Sequence, residues 1–579
     1  MKNRAIFNFA LVVLLILSSF IGMPSGSMAE GKVSELQIAI HRDENTLTPF
    51  TYVTGYPGAA VLRLVFDSLF ILDEQNQPLP WMVADYEVNA AFTEYRISLL
   101  PGQFWHDGRP VTADDVAFSF SYPLTQSQTR WRRIAAQVES TDVTDELNLT
   151  IRLKTGNPDF LSQALTDMPI IPKHIYENEV DATMVGEALG SGPYRLVEYE
   201  EGKHYIFEAV PGYFRGDALV ERIVMPIIPD ITTIFQALTA GSIHATTAHV
   251  APELVSVFAA ERDIAVMSGP GLATTLLQIN NEVYPFTLPE MRRAVMLALD
   301  LQELVDVVLL GHGDPGSLGF FHPAGIFGTD AFVPERDLTK SNELLDGLGF
   351  LRQGDFRVDG NGQPLSFELL VAANNPLRIR SAELIAEQLK EVGIDIRVVS
   401  LEPTTLDERV WPGFDVSQER NYTLSIWGWS APVQLRPDAL IQLAATDHAM
   451  GSLNLGGFAS SEFERLAERF ITEMNADARK AIIDEMQVLF ARDIPLIPLF
   501  YQQVIMAYRP AAYAGWVLQQ GEGIINKMSF LPGFARAGSA QEPQSDAAAD
   551  GRDFLFYLLL AGVLGAVIVV KGRKKGHAS

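Results

Sequence analysis

Short strand-like runs alternate with amphipathic helical stripes along most of this chain, and that alternation restricts it to an α/β architecture. The middle of the chain shows it best. Residues 275–280 read as a strand, and Pro289 then opens one long helix. Its apolar stripe of Ala294, Leu297, Ala298, Leu301, Leu304, Val305 and Val308 runs to Gly311. A strand at 365–371 follows the turn Asp359-Gly360-Asn361-Gly362, a helix spans 381–392, Gly393 closes it, and 394–401 is the next strand. This helix–Gly–strand step is half of a βαβ unit. Upstream, 35–41, 95–100 and 147–153 read as strands, and Thr112 is the natural N-cap of a helix with Asp114 and Asp115 in its first turn. Helices at 461–474 and 476–491 precede a strand-like run at 503–508.

The chain has 579 residues, more than one core organises, so two or more lobes are expected. It has no Cys, which excludes disulfides, thiol catalysis and Cys-based metal sites. Lys2 and Arg4 precede an apolar run at 10–21 and the small-residue step Ser27-Met28-Ala29. Residues 1–29 therefore read as a signal peptide cut after Ala29. At the other end 554–570 is apolar and is followed by Lys571, Arg573, Lys574 and Lys575. That pattern predicts a single transmembrane helix at 554–570, a cytoplasmic tail at 571–579, and the bulk of the chain on the extracytoplasmic face of the cell membrane. A polar linker at 536–553 leads into the span. The net charge of −27 repels nucleic acid and anionic lipid, so neither is expected as a partner.

No enzyme signature is present: there is no G-x-S-x-G elbow, no H-E-x-x-H and no phosphate loop. The ten His are scattered; His244 and His249 lie five apart without further ligands nearby and read as solvated or capping side chains. No cofactor and no metal are expected. One segment draws interest on residue chemistry alone, Ile426-Trp427-Gly428-Trp429-Ser430. Trp offers a large rigid face and an N–H donor, and Gly lets a backbone approach closely. The same residues also read as a strand with one core Trp and one surface Trp, and both readings stand.

Several segments together resemble the family 5 extracellular solute-binding proteins of ABC importers. They are Trp81-Met82-Val83-Ala84-Asp85-Tyr86, the run from Pro101-Gly102-Gln103-Phe104-Trp105-His106-Asp107-Gly108 to Ala113-Asp114-Asp115-Val116, Gly190-Ser191-Gly192-Pro193-Tyr194, Gly212-Tyr213-Phe214, Met291-Arg292-Arg293-Ala294 and Asp493-Ile494-Pro495. The resemblance covers roughly residues 36–510. It implies an α/β, periplasmic-binding-protein-like fold (type II, cluster C), with two lobes, a hinge and a ligand engulfed between them. The first lobe would comprise 30–275, with an extra subdomain at about 61–187, and a return segment at 490–535; the second would span 276–489. Trp105-His106-Asp107-Gly108 is read as structural. Peptide binders of the family hold the ligand α-amine with an Asp shortly after a Gly-Trp step. Here Gly428-Trp429-Ser430-Ala431 is followed by Pro432 rather than Asp, and the next acid is Asp438, after Arg436-Pro437. The resemblance thus implies a ligand site of Trp427, Gly428, Trp429, Arg436 and Asp438, with Tyr52 as a further stacking surface and backbone contacts from Gly269-Pro270-Gly271. The implied partners are a peptide or oligosaccharide ligand and ABC permease subunits with a cytoplasmic ATPase. The competing readings are an oligosaccharide-binding protein, and an extracellular hydrolase or sensor on the same scaffold.

Overall fold

The computed structural model describes residues 32–43, 47–50, 57–126, 129, 131–179, 181, 188–446 and 452–535. Three sheets organise them. The first has five strands in the order Ala245–Thr246, Leu36–Ala39, Arg222–Pro226, His204–Ala209 and Tyr194–Glu200. Leu36–Ala39 pairs in parallel with both its neighbours, and the remaining pairs are antiparallel. The second is a four-stranded antiparallel sheet, Val83–Val88, Glu94–Leu99, Asn148–Leu153 and Val138–Val143. The helix Ala113–Ser121 packs on it, held by a capping box between Thr112 and Asp115.

The third sheet has six strands in the order Gly313–Pro315, Leu496–Gln502, Thr274–Ile279, Leu424–Trp429, Ser366–Ala372 and Asp395–Leu401. Ser366–Ala372 is parallel to both its neighbours, as a βαβ step through the helix Pro376–Glu391 demands. The chain crosses between the first and second lobes twice. Ala265–Gly269 and Val504–Tyr508 pair with one another on the first-lobe side, while Thr274–Ile279 and Leu496–Gln502 pair on the second. Gln503 alone separates Leu496–Gln502, in the six-stranded sheet, from Val504–Tyr508, which pairs with Ala265–Gly269. The run 494–508 is two strands belonging to different sheets, and one residue separates them.

The stripe from Pro289 is also two elements, Pro289–Ala298 and Leu301–Val308. Leu299 is extended, and the Asp300 carboxylate accepts from the Glu303 amide, so a fresh N-cap interrupts a periodicity that continues across it. Arg292 on the first of these helices is buried. It donates to the carbonyls of Phe286, Asp493 and Ile494 at 2.6–3.0 Å, and so seats the entry to Leu496–Gln502. Burial lowers its pKa to about 10.

Two of the sequence motifs lock each other. The His106 ring accepts from the Gly190 amide through Nδ1 at 3.3 Å and meets the Gly192 carbonyl through Nε2 at 3.0 Å. This fits the neutral tautomer protonated on Nε2, and burial holds the ring's pKa at about 4. A Cβ at Gly192 would lie 2.7 Å from the Val65 carbonyl carbon, so only glycine permits the approach.

One expectation is corrected. Among the described residues no helix is long and apolar enough to cross a membrane. The helix Ala476–Asp493, long enough on paper, carries Asp477, Arg479, Lys480, Asp484 and Glu485. The single-pass placement on the extracytoplasmic face, with a cytoplasmic tail, is accordingly dropped. The segments read as signal peptide (1–29), linker (536–553), span (554–570) and tail (571–579) lie outside the described residues.

Candidate functional site

A cleft of about 1500 Å³ lies between the two lobes. Its walls come from the first-lobe sheet (His41, Thr247, His249), the four-stranded subdomain (Arg133, Lys154, Asp159), the return segment (Gln519, Lys527) and the second lobe (Ser430, Arg436, Asp438, Arg479). His41 and His249 follow strands of the same sheet, and burial holds both imidazoles below their usual pKa, hence neutral at pH 7. His244, by contrast, is structural: its Nδ1 accepts from the Gln37 amide at 3.0 Å.

At the cleft the lobes touch through an ion pair. The Arg479 guanidinium of the second lobe bonds Asp159 of the subdomain. Arg479 also donates to the carbonyls of Phe470 and Glu473 and lies 3.7 Å over the Phe470 ring, so its geometry is fixed from behind. Burial pushes Asp159 up to about 6 despite the pull of Arg479, because it loses more hydration than one guanidinium returns.

Arg436 and Asp438 both line the cleft, and they are bonded to each other. Arg436 Nε reaches Oδ1 at 3.1 Å and Nη2 reaches Oδ2 at 2.8 Å, while Gln442 donates to Oδ2 at 2.9 Å. Asp438 thus stands in the cleft as an already neutralised carboxylate.

Gly428 and Trp429 line a smaller pocket of about 340 Å³ that shares Ala273 and Ser430 with the cleft. Its charged group is Arg378, on the first turn of the helix Pro376–Glu391. Burial lowers the pKa of this guanidinium, and among the described residues no carboxylate pairs with it. The Trp429 indole N–H is buried without a partner, and its ring meets Trp411 edge-on at 5.9 Å. Trp427 walls neither cavity; it is half-buried and packs on the cores on either side of its strand. Gly269-Pro270-Gly271 forms one of the two crossings, where the Pro270 carbonyl accepts from the Gly521 amide at 3.2 Å. Tyr52 lies outside the described residues.

Gly428 has no space for a side chain. A Cβ there would overlap Arg378 and sit 2.6 Å from the Thr274 carbonyl oxygen. Gly428→Ala is expected to destabilise the protein by about 1–3 kcal/mol through this overpacking. A thermal midpoint equal to that of the parent would contradict the packing.

Sequence reading missed Asp159, Arg479, Arg133 and Arg378. No local signal marks them: Asp159 and Arg479 are 320 positions apart and meet only when the lobes do.

Two lobes joined by two adjacent crossings, with a cleft between them, have the architecture of a ligand-binding protein. The family model "Bacterial extracellular solute-binding proteins, family 5 Middle" matches residues 77–451, and the chain belongs to that family. It is a family of solute-binding proteins, not enzymes. The oligopeptide-binding protein AppA of Bacillus subtilis is 24% identical over 88% of this chain and 95% of its own. The dipeptide-binding protein DppE of the same organism is 23% identical over 83% of this chain and 89% of its own. Among solved structures, the ABC transporter substrate-binding protein CtaP of Listeria monocytogenes superposes with a TM-score of 0.75 at 21% identity, covering 86% of this chain and 99% of that one. AppA of Bacillus subtilis with a bound nonapeptide superposes at 0.64 and 22% identity, covering 83% and 95%. The fold is thus that of the periplasmic-binding-protein class.

Proposed function

We propose that this protein captures peptides between its lobes and delivers them, in the closed form, to the permease of an ABC importer. The observation that carries this reading is the large cleft between the lobes. At about 1500 Å³ it exceeds the roughly 300–1,000 Å³ of an ordinary small-molecule site. The peptide-binding names of its relatives support the same ligand class.

In this reading the ligand lies along the cleft, with one end at the side pocket. Arg378 takes the terminal carboxylate there, Gly428 lets the ligand main chain come close, and Trp429 gives an aromatic wall with a free N–H. Trp427 backs that wall from within the fold. Arg436 and Asp438 meet the middle of the ligand as a joined pair. Closure follows from contacts that only the closed form makes on both sides of the guest.

The test is a thermal-shift screen of peptide pools against oligosaccharide pools, with mass spectrometry of whatever co-purifies. A peptide at a hundredfold excess over its Kd should stabilise the protein by about 2.7 kcal/mol. Shifts from oligosaccharides with none from peptides would replace this reading by a sugar-binding one.

A further inference from the structure

The cleft carries the opposite charge balance from the rest of the molecule. The chain is net −27, yet the cleft walls hold Arg63, Arg133, Lys154, Arg436, Arg479 and Lys527 against four carboxylates. Each of those carboxylates is already engaged. Asp159 is bonded to Arg479 and Asp438 to Arg436, while Asp167 and Glu522 flank Arg63 at 3.5 and 3.7 Å. Lys527 is taken up by the buried Asp67. Two cations are left over among the described residues. Arg133 is open to the cleft and has no carboxylate within ion-pair distance. Lys154 is also exposed and donates only to the Ala136 carbonyl, at 2.7 Å, at the end of the short helix Arg132–Ala135 that bears Arg133. The surplus therefore sits on one wall.

That wall faces the second lobe. Arg133 lies within the electrostatic reach of Arg436 and Asp438, with Arg436 opposing its charge and Asp438 favouring it. Asp438 has both oxygens committed to Arg436, so Arg133, from the other lobe, is left without a carboxylate partner among the described residues. The group that completes this arrangement is a second anion. It would relieve the repulsion between Arg133 and Arg436 and bond to both lobes at once. Among the described residues no wall residue offers a spare carboxylate to a cationic side chain.

We propose that the cleft selects acidic peptides, a ligand side-chain carboxylate being held between Arg133 of the first lobe and Arg436 of the second, with Lys154 close by. This rests on the peptide reading above and adds the charge of the guest. An acidic residue at that point also ties the lobes together, so the same contact that selects the ligand favours closure.

The experiment is competitive capture from a randomised pool of short peptides by the full chain, with the retained fraction sequenced by mass spectrometry. Asp and Glu should be enriched about tenfold over Lys and Arg relative to the input, the gain of one charge-assisted contact. Arg133→Gln should lose that enrichment while still retaining neutral peptides, and Arg133→Glu should shift it towards Lys and Arg. Because Arg133 is exposed, both variants should melt with the parent. Retention without charge bias, or a bias that survives in an Arg133→Gln, Lys154→Gln double variant, overturns the inference and leaves the peptide reading intact. Retention of no peptide overturns both.

Discussion

Asp67→Ala should cost the protein about 3–5 kcal/mol, the largest effect expected of any single substitution. Asp67 has no exposed surface. Its Oδ1 accepts from Lys527, from the Trp81 indole at 3.0 Å and from the Tyr213 hydroxyl at 2.9 Å, and its Oδ2 from Ser191 at 3.0 Å. Lys527 also donates to the Phe66 carbonyl at 2.8 Å, and burial depresses its pKa. One carboxylate therefore ties together the Trp81 segment, the Gly190-Ser191-Gly192 step, the Gly212-Tyr213-Phe214 step and the return segment. Alanine would leave the buried Lys527 without its counter-ion and the Tyr213 and Ser191 hydroxyls without their acceptor, while the Trp81 indole keeps the Tyr213 oxygen at 3.0 Å; each loss carries its own desolvation cost. Asp67→Asn keeps the shape and loses the charge, so it should fall between the two. Denaturant unfolding would report these losses as a lower midpoint. A loss under about 1 kcal/mol for Asp67→Ala would show that the network is dispensable.

The second large effect is on ligand capture. Ligand affinity should rise about tenfold between about pH 7 and about pH 5. With Arg479 bonded to it across the cleft, Asp159 titrates near 6, against an ordinary value of 3.8. In an opened cleft it returns to water and to that ordinary value. The closed form therefore binds the proton more tightly, so acid favours closure. The contribution is fully present below the open-state value and is lost as the pH rises through about 6. The groups that bear on Asp159 are Arg479 and Arg436, which hold it down, and Asp438, which pushes it up with burial. Asp159→Asn should abolish the pH dependence and bind at neutral pH as the parent does in acid. Isothermal titration with one neutral peptide at several pH values measures this. A parent affinity flat across the range would exclude the linkage.

Much of the fold was legible along the chain. Strands such as Ser366–Ala372 and Asp395–Leu401 and the helix between them follow from apolar spacing and a closing glycine. The motif Trp105-His106-Asp107-Gly108 was read as structural, and its His106 is spent on the Gly190 and Gly192 backbone. The break at Asp300 was not legible, because the apolar stripe keeps its period across it. The change of sheet between Gln502 and Val504 was hidden for a related reason. Both strands are buried, and burial on both faces erases the alternation that marks a strand's sheet.

For the cleft, the resemblance to the family implies Trp427, Gly428, Trp429, Arg436, Asp438 and Tyr52; of these, Arg436 and Asp438 line the cleft and Gly428 and Trp429 its side pocket. It could not show that Arg436 and Asp438 neutralise each other, nor that Trp427 turns away from both cavities. Local periodicity and short motifs determined the α/β class and the family, because those signals act over a few residues. The charge of the cleft, the pair that joins the lobes and the open cation at Arg133 were decided by tertiary structure. Electrostatic energy depends on distance and burial in space, and residues 320 positions apart acquire both only when the chain is folded.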